Sequence, residues 1–158
     1  MNEPLRNTEN CARAIFSPLM IDEKGNISRS AFALRHNEDY ISVCQMSVAS
    51  WADDMKAIPE NEQRRFYGYA VLNVRQTRAL SFSHVGKLVS FDVVDKHTER
   101  NKSHAGIIVL LDGQQIKGDK RLTVKPVPAD IAIDAFVLRF QARLAALAQR
   151  NYIVKDNL

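Results

Sequence analysis

Cysteine, glycine and long apolar runs are all scarce in this chain of 158 residues. Its two cysteines, Cys11 and Cys44, cannot build a disulfide framework and suit a reducing cytosol. Its six glycines are scattered, so neither a phosphate-binding loop nor a dinucleotide fingerprint is present. No apolar run approaches the roughly 20 residues of a membrane helix. The longest is Ile107 to Leu111, and no membrane association is expected. The N-terminal segment lacks a basic start followed by an apolar stretch, so no secretion signal is read there and a cytoplasmic protein is expected. There is no Gly-x-Ser-x-Gly elbow and no His-Glu-x-x-His or double Cys-pair pattern. Helix-turn-helix, zinc-finger and RNP-type signatures are missing too.

The mixture present, 46% apolar and 25% charged residues, is that of a globular domain able to form its own core without a metal or disulfide staple. Residues 1–10 are polar and expected to be flexible, leaving 11–158 as a single domain. Charge is uneven. Residues 1–63 carry 6 Lys and Arg against 10 Asp and Glu, whereas residues 64–125 carry 12 against 5. That asymmetry steers a polyanion or an acidic protein toward one region; the alternative is an ordinary solvated surface whose signs pair across the fold.

Alternation of β-branched and aromatic residues predicts strands at Ala12–Phe16, Tyr40–Cys44, Tyr67–Val74, Ala79–Phe82 and Leu88–Val94. The continuous apolar run Ala105–Leu111 predicts a buried strand. Asp112-Gly113 marks a turn, with Arg121–Val124 returning as a strand. Ala31–Leu34 reads as a helical turn or a strand. Ser50, followed by Asp53 and Asp54, starts a short helix that Pro59 ends. From about Asp130 to Arg150 the pattern predicts a long amphipathic helix. Ile133, Phe136, Val137, Phe140, Leu144 and Leu147 form its bulky stripe, aimed at the sheet. Ala135, Leu138, Ala142, Ala145 and Ala146 form a second, mostly small side. That side wants either the 51–65 region or a protein partner, a second copy included. The fold class expected is α+β, with a mostly antiparallel sheet, a short helical insert and the long C-terminal amphipathic helix.

His104 is the most suggestive of four histidines. It stands where the polar loop Asp95–Ser103 enters an apolar strand, a position suited to a general acid or base; a loop-anchoring hydrogen bond explains it too. His36, Glu38 and Asp39, with Arg35, make a second polar cluster able to orient substrate or water, although a polar turn explains it equally. Cys11 or Cys44 with His104 offers a thiol and its base. Cys44 fits better as a buried small hydrophobe, and Cys11 has no cationic partner. No pattern calls for a cofactor or a metal. Candidate nucleic-acid contacts are Arg64, Arg65, Lys96, Arg100, Lys102, Lys117, Lys120 and Arg121, provided that the 95–103 loop and the 117–125 region share one end of the sheet. Phe66, Tyr67 and Tyr69 are stacking candidates if exposed, and core or half-buried residues otherwise.

Three segments resemble a family of small uncharacterised bacterial proteins. They are Ile15-Phe16-Ser17-Pro18 through Asp22, Ile27 through Phe32 with Tyr40-Ile41-Ser42-Val43, and Ser103-His104-Ala105-Gly106-Ile107. The resemblance implies a bacterial cytosolic protein and no particular activity. It departs in the loop before His104, which is charged here where the family carries prolines. Two functions are expected from these observations. One is a non-catalytic accessory subunit of a bacterial multi-component system, holding a partner through the C-terminal helix and nucleic acid through the basic middle segment. The other is a small hydrolase or transferase using His104 as general acid and base, with His36 and Asp39 beside it.

Overall fold

A computed structural model describes residues 3–34, 38–116 and 133–154; of residues 133–136 it describes the backbone alone. The fold is α+β. Among the described residues eight antiparallel strands form one sheet: β1 (Asn10–Ser17), β2 (Ile41–Gln45), β3 (Arg65–Asn73), β4 (Ser81–His84), β5 (Lys87–Asp95), β6 (His104–Leu111), β7 (Gln114–Gln115) and β8 (Tyr152–Val154). Among the described residues the helices are α1 (Trp51–Lys56), α2 (Val74–Ala79) and α3 (Ile133–Gln149), with a 3-10 turn at Arg29–Phe32.

The strand order is β4-β5-β6-β2-β1-β3-β8, with β7 paired to β6. In a flat sheet β4 and β3 would stand five strand spacings apart, about 24 Å. They are joined only by α2 and Leu80, and a six-residue helix spans about 9 Å. The sheet therefore curls, and α2 packs against β5.

Register sorts the side chains into two faces. Ile41 pairs with Ile107, Val43 with Ala105, and Phe91 with Val109, so these residues share one face. That face is dry: Ile15, Ile41, Val89, Ala105, Ile107 and Val109 are buried. α3 and the 3-10 turn cover it with Phe140, Leu144, Leu147, Ala31 and Phe32. The other face carries Ala12, Ala14, Ser42, Cys44, His104 and Gly106, and α1 lies over part of it.

Local chemistry explains most elements. β4 and β5 meet through Val85-Gly86, and β6 and β7 through Asp112-Gly113; all four residues have positive φ, the signature of the two-residue hairpin turn that matches strand twist. Val85 hides the first turn from sequence reasoning, because a β-branched residue rarely adopts that conformation. Two expectations need adjusting. Val74 starts α2 instead of ending β3, because the Asn73 side chain accepts from the Gln76 N–H at 3.1 Å and caps a helix. Ala79 likewise belongs to α2. The strand paired to the end of β6 is β7; Arg121–Val124 lies outside the described residues. From Glu3 onward the N-terminal segment is tied down: Leu5 is buried and its N–H donates to the Val93 carbonyl at 2.9 Å.

Candidate functional site

β2 and β6 place the site. Cys44 pairs with His104 and Ser42 with Gly106, and the two-residue period of a strand puts all four on the face away from α3. His104 Nε2 lies 2.9 Å from Ser42 Oγ. Burial lowers the pKa of His104 below 6.5, with the nearby Lys96 charge acting in the same sense; a hydrogen bond with the Lys96 backbone and the Asp95 carboxylate act against it. The ring is therefore neutral at pH 7. In the tautomer whose other ring nitrogen donates to the Lys96 backbone, Nε2 accepts from the Ser42 hydroxyl, which is the arrangement a general base needs.

Tyr40 fixes the other side of the imidazole. Its ring meets His104 edge to face at 5.5 Å between centroids, and the Lys96 ammonium lies 4.8 Å from the Tyr40 centroid. Tyr40 rests on Gly106: a Cβ there would stand 2.6 Å from Tyr40 Cδ2, so glycine supplies the floor. Burial, and then the Glu38 and Asp39 charges, raise the phenol pKa above its usual 10.0.

Beside Ser42 opens a pocket of about 200 Å³. Ala12 and Ala14 of the sheet form its floor and Met55 of α1 its roof, and Ile58, Phe16 and Met20 line it too. Arg13, Glu38 and Arg64 line its polar part. Arg13 is held in place, donating to the Ala31 carbonyl at 2.9 Å and to the Ser42 carbonyl at 2.7 Å. Arg64 lies 4.9 Å from the Phe16 ring centroid.

Asp54 of α1 ties the roof to the loop before His104. One of its oxygens accepts from Ser103 Oγ at 2.6 Å, from the Ser103 N–H at 3.2 Å and from Ser50 Oγ at 2.9 Å. The Ser103 hydroxyl hydrogen bond, chiefly, lowers the Asp54 pKa. Sequence reasoning assigned Asp54 only to the helix dipole and gave Ser103 and Ser42 no role of their own. The missing signal was strand pairing, which is not local.

The other candidates disperse. His36 and Arg35 lie outside the described residues, so their convergence with His104 is not seen. Asp39 is half-buried, and its backbone carbonyl accepts from Gln115 Nε2 at 2.8 Å. Among the described residues no three His, Cys, Asp or Glu side chains gather where they could hold a metal ion. The Cys44 thiol sits directly across from His104, but burial raises its pKa; burial pushes Cys11 up to about 12. Both are poor nucleophiles at neutral pH.

The basic residues are divided. Arg65 pairs with Ser17 at one end of β1, whereas Lys96, Arg100 and Lys102 belong to the loop near Gln45 and Asn10 at the other end. Lys117, Lys120 and Arg121 lie outside the described residues. Of the stacking candidates Tyr69 is buried and Phe66 half-buried, while Tyr67 is exposed. On α3, Ala145 is buried against the chain itself, while Leu138 and Ala142 are exposed. The neighbour there is the segment around Asp22–Ser30 instead of the 51–65 region, with Gln149 Oε1 accepting from the Ile27 N–H at 2.7 Å. The side chain of Ala135 is not among those described. Among the described residues no helix is long and apolar enough to cross a membrane. No protein-family model, curated protein or solved structure matches the chain.

Proposed function

We propose that this protein is a small hydrolase or transferase in which His104 is the general acid and base and Ser42 carries the hydroxyl it activates. The observation that carries this reading is the 2.9 Å approach of His104 Nε2 to Ser42 Oγ, on a strand that also lines the pocket. Three features support it. Burial keeps the imidazole neutral, so it is ready to accept a proton. Tyr40 and the Lys96 backbone orient the ring. Arg64 lines the pocket and gives it a positive charge that favours an anion developing there. The free thiols Cys11 and Cys44 support a reducing, cytosolic setting.

A serine-directed fluorophosphonate, with the labelled peptide mapped by mass spectrometry, tests the reading. Ser42 is expected to be the labelled residue, and His104→Gln to slow labelling by about 10²- to 10⁴-fold. Labelling elsewhere, or at an unchanged rate in His104→Gln, overturns it.

The second reading is the accessory subunit, with α3 as an amphipathic helix toward a protein partner and the basic loop toward nucleic acid. The exposure of Leu138, at 43%, and of Ala142 favours it, as do the exposed Arg100 and Lys102. Ala142→Glu is its test, since Ala145 is committed to the core. An assembly in solution that this substitution splits would support the second reading; an unchanged mass removes it.

A further inference from the structure

We propose that the pocket beside Ser42 receives a short acyl or small aryl-acyl group, making the substrate a short-chain carboxylic ester. This rests on the acid–base reading of His104 and deepens it. The shape of the pocket follows from residue sizes. Ala12 and Ala14, on the same sheet face as Ser42, leave room that a larger side chain would fill. Met55, which is 1% exposed, closes the far side with Ile58. An apolar cavity of about 150 Å³ accepts benzene. The 200 Å³ here admits a group of about six to eight carbons and is too small to enclose a fatty-acyl chain. Methionine walls adapt to either a ring or a chain.

The polar groups suit the ester carbon. Among the described residues Ser42 is the one hydroxyl that lines the pocket, with Arg13, Arg64 and Glu38 as its charged lining. Ser42 Oγ adds to the carbonyl carbon while His104 Nε2 takes its proton. The ester C–O bond breaks, His104 hands the proton to the leaving oxygen, and an alcohol departs. Water then adds to the acyl-serine, giving one proton to His104. The Ser42 oxygen leaves and recovers that proton, and a carboxylic acid is released. No oxidant, reductant or metal enters this balance.

The full chain, labelled with ¹³C at the methionine methyls, provides the test. Met20 and Met55 line the pocket, whereas Met46 does not and serves as the internal reference. Butanoate and benzoate are expected to shift the Met20 and Met55 signals and leave Met46 in place. Dodecanoate is expected to shift neither. Ser42→Ala should retain the shifts, since it keeps the pocket. Ala14→Leu should abolish them; Ile58→Trp, at a half-buried position, does the same job if Ala14→Leu does not fold. Absence of shifts with both short acids, or shifts unaltered in both filling variants, overturns the proposal. Hydrolysis of 4-nitrophenyl butanoate separates it from the reading beneath it. Methyl shifts without His104-dependent hydrolysis sink the catalytic role of His104. Hydrolysis dependent on His104 without methyl shifts sinks the acyl pocket alone.

Discussion

One strand, β6, divides two kinds of chemistry. Its residues Ala105, Ile107, Val109 and Leu111 point under α3 and are 0 to 5% exposed. The alternate residues His104, Gly106, Ile108 and Leu110 point the other way, and three of those four are half-buried. The first set gains its stability from dry packing and tolerates no unpaired polar atom. The second set is held by the same backbone ladder but owes little to packing, so it is free to carry an imidazole, a bare glycine and a tyrosine seated upon it. A catalytic group needs rigidity without a sealed environment, and the outer side of a sheet whose inner side is the core supplies both.

The sharpest way to break this contrast is to damage the dry face alone. Phe140→Ala removes a side chain that is 0% exposed and is expected to cost about 3–5 kcal/mol in urea or guanidinium unfolding. A cost near zero would mean that α3 does not seal the core. On the other face, Gly106→Ala pushes Tyr40 out of its seat, at about 1–3 kcal/mol. The same variant should shift the His104 ring resonances; stability lost with no change at His104 would detach Tyr40 from the site.

Asp54→Asn probes the tie between α1 and the His104 loop and is expected to cost about 1–2 kcal/mol near pH 7. Its pH dependence is signed. The folded Asp54 has a lowered pKa, so its contribution is complete above 3.8 and is lost as pH falls through the folded value. The variant should therefore flatten the acid limb of the stability curve, and an unchanged limb would refute the tie. The smallest effect concerns His104 itself. Its folded pKa is lowered, so below 6.5 the unfolded chain binds a proton that the folded ring resists. Stability should slip as pH falls from 6.5 through the folded value, and His104→Gln should remove that slope. An NMR titration placing His104 at or above 6.5 would contradict both the burial and the base role.

Much of the sheet was legible from local pattern. The strands of β1, β2, β5 and β6 follow runs of β-branched and aromatic residues, and α1 follows Ser50, Asp53 and Asp54 and ends at Lys56, ahead of Pro59. The run Ala105–Leu111 reads as buried throughout, yet Ile108 and Leu110 are only half-buried. A continuous apolar run says that a strand is apolar, not which of its faces is covered. α2 was hidden because Asn73, an N-cap, follows a strand pattern without a break. On α3 the split between Ala145, buried, and Ala142, exposed, depends on where the segment around Asp22–Ser30 lands, which helical periodicity does not report.

The site divides in the same way. His104 stood out because a loop-to-strand junction next to an apolar run is a local signal. Ser42 did not, since 62 residues separate it from His104 and only the register of β2 against β6 sets them 2.9 Å apart. By itself the sequence determined the α+β class, the apolar strands and the turn at Asp112-Gly113, because these depend on residue type and short-range spacing. Tertiary structure alone decided that Ser42, Tyr40 and His104 meet and that the basic residues Arg65 and Lys102 part. It also decided that two alanines become the floor of a pocket. Pairing between distant strands, which no local propensity encodes, places side chains on a common face.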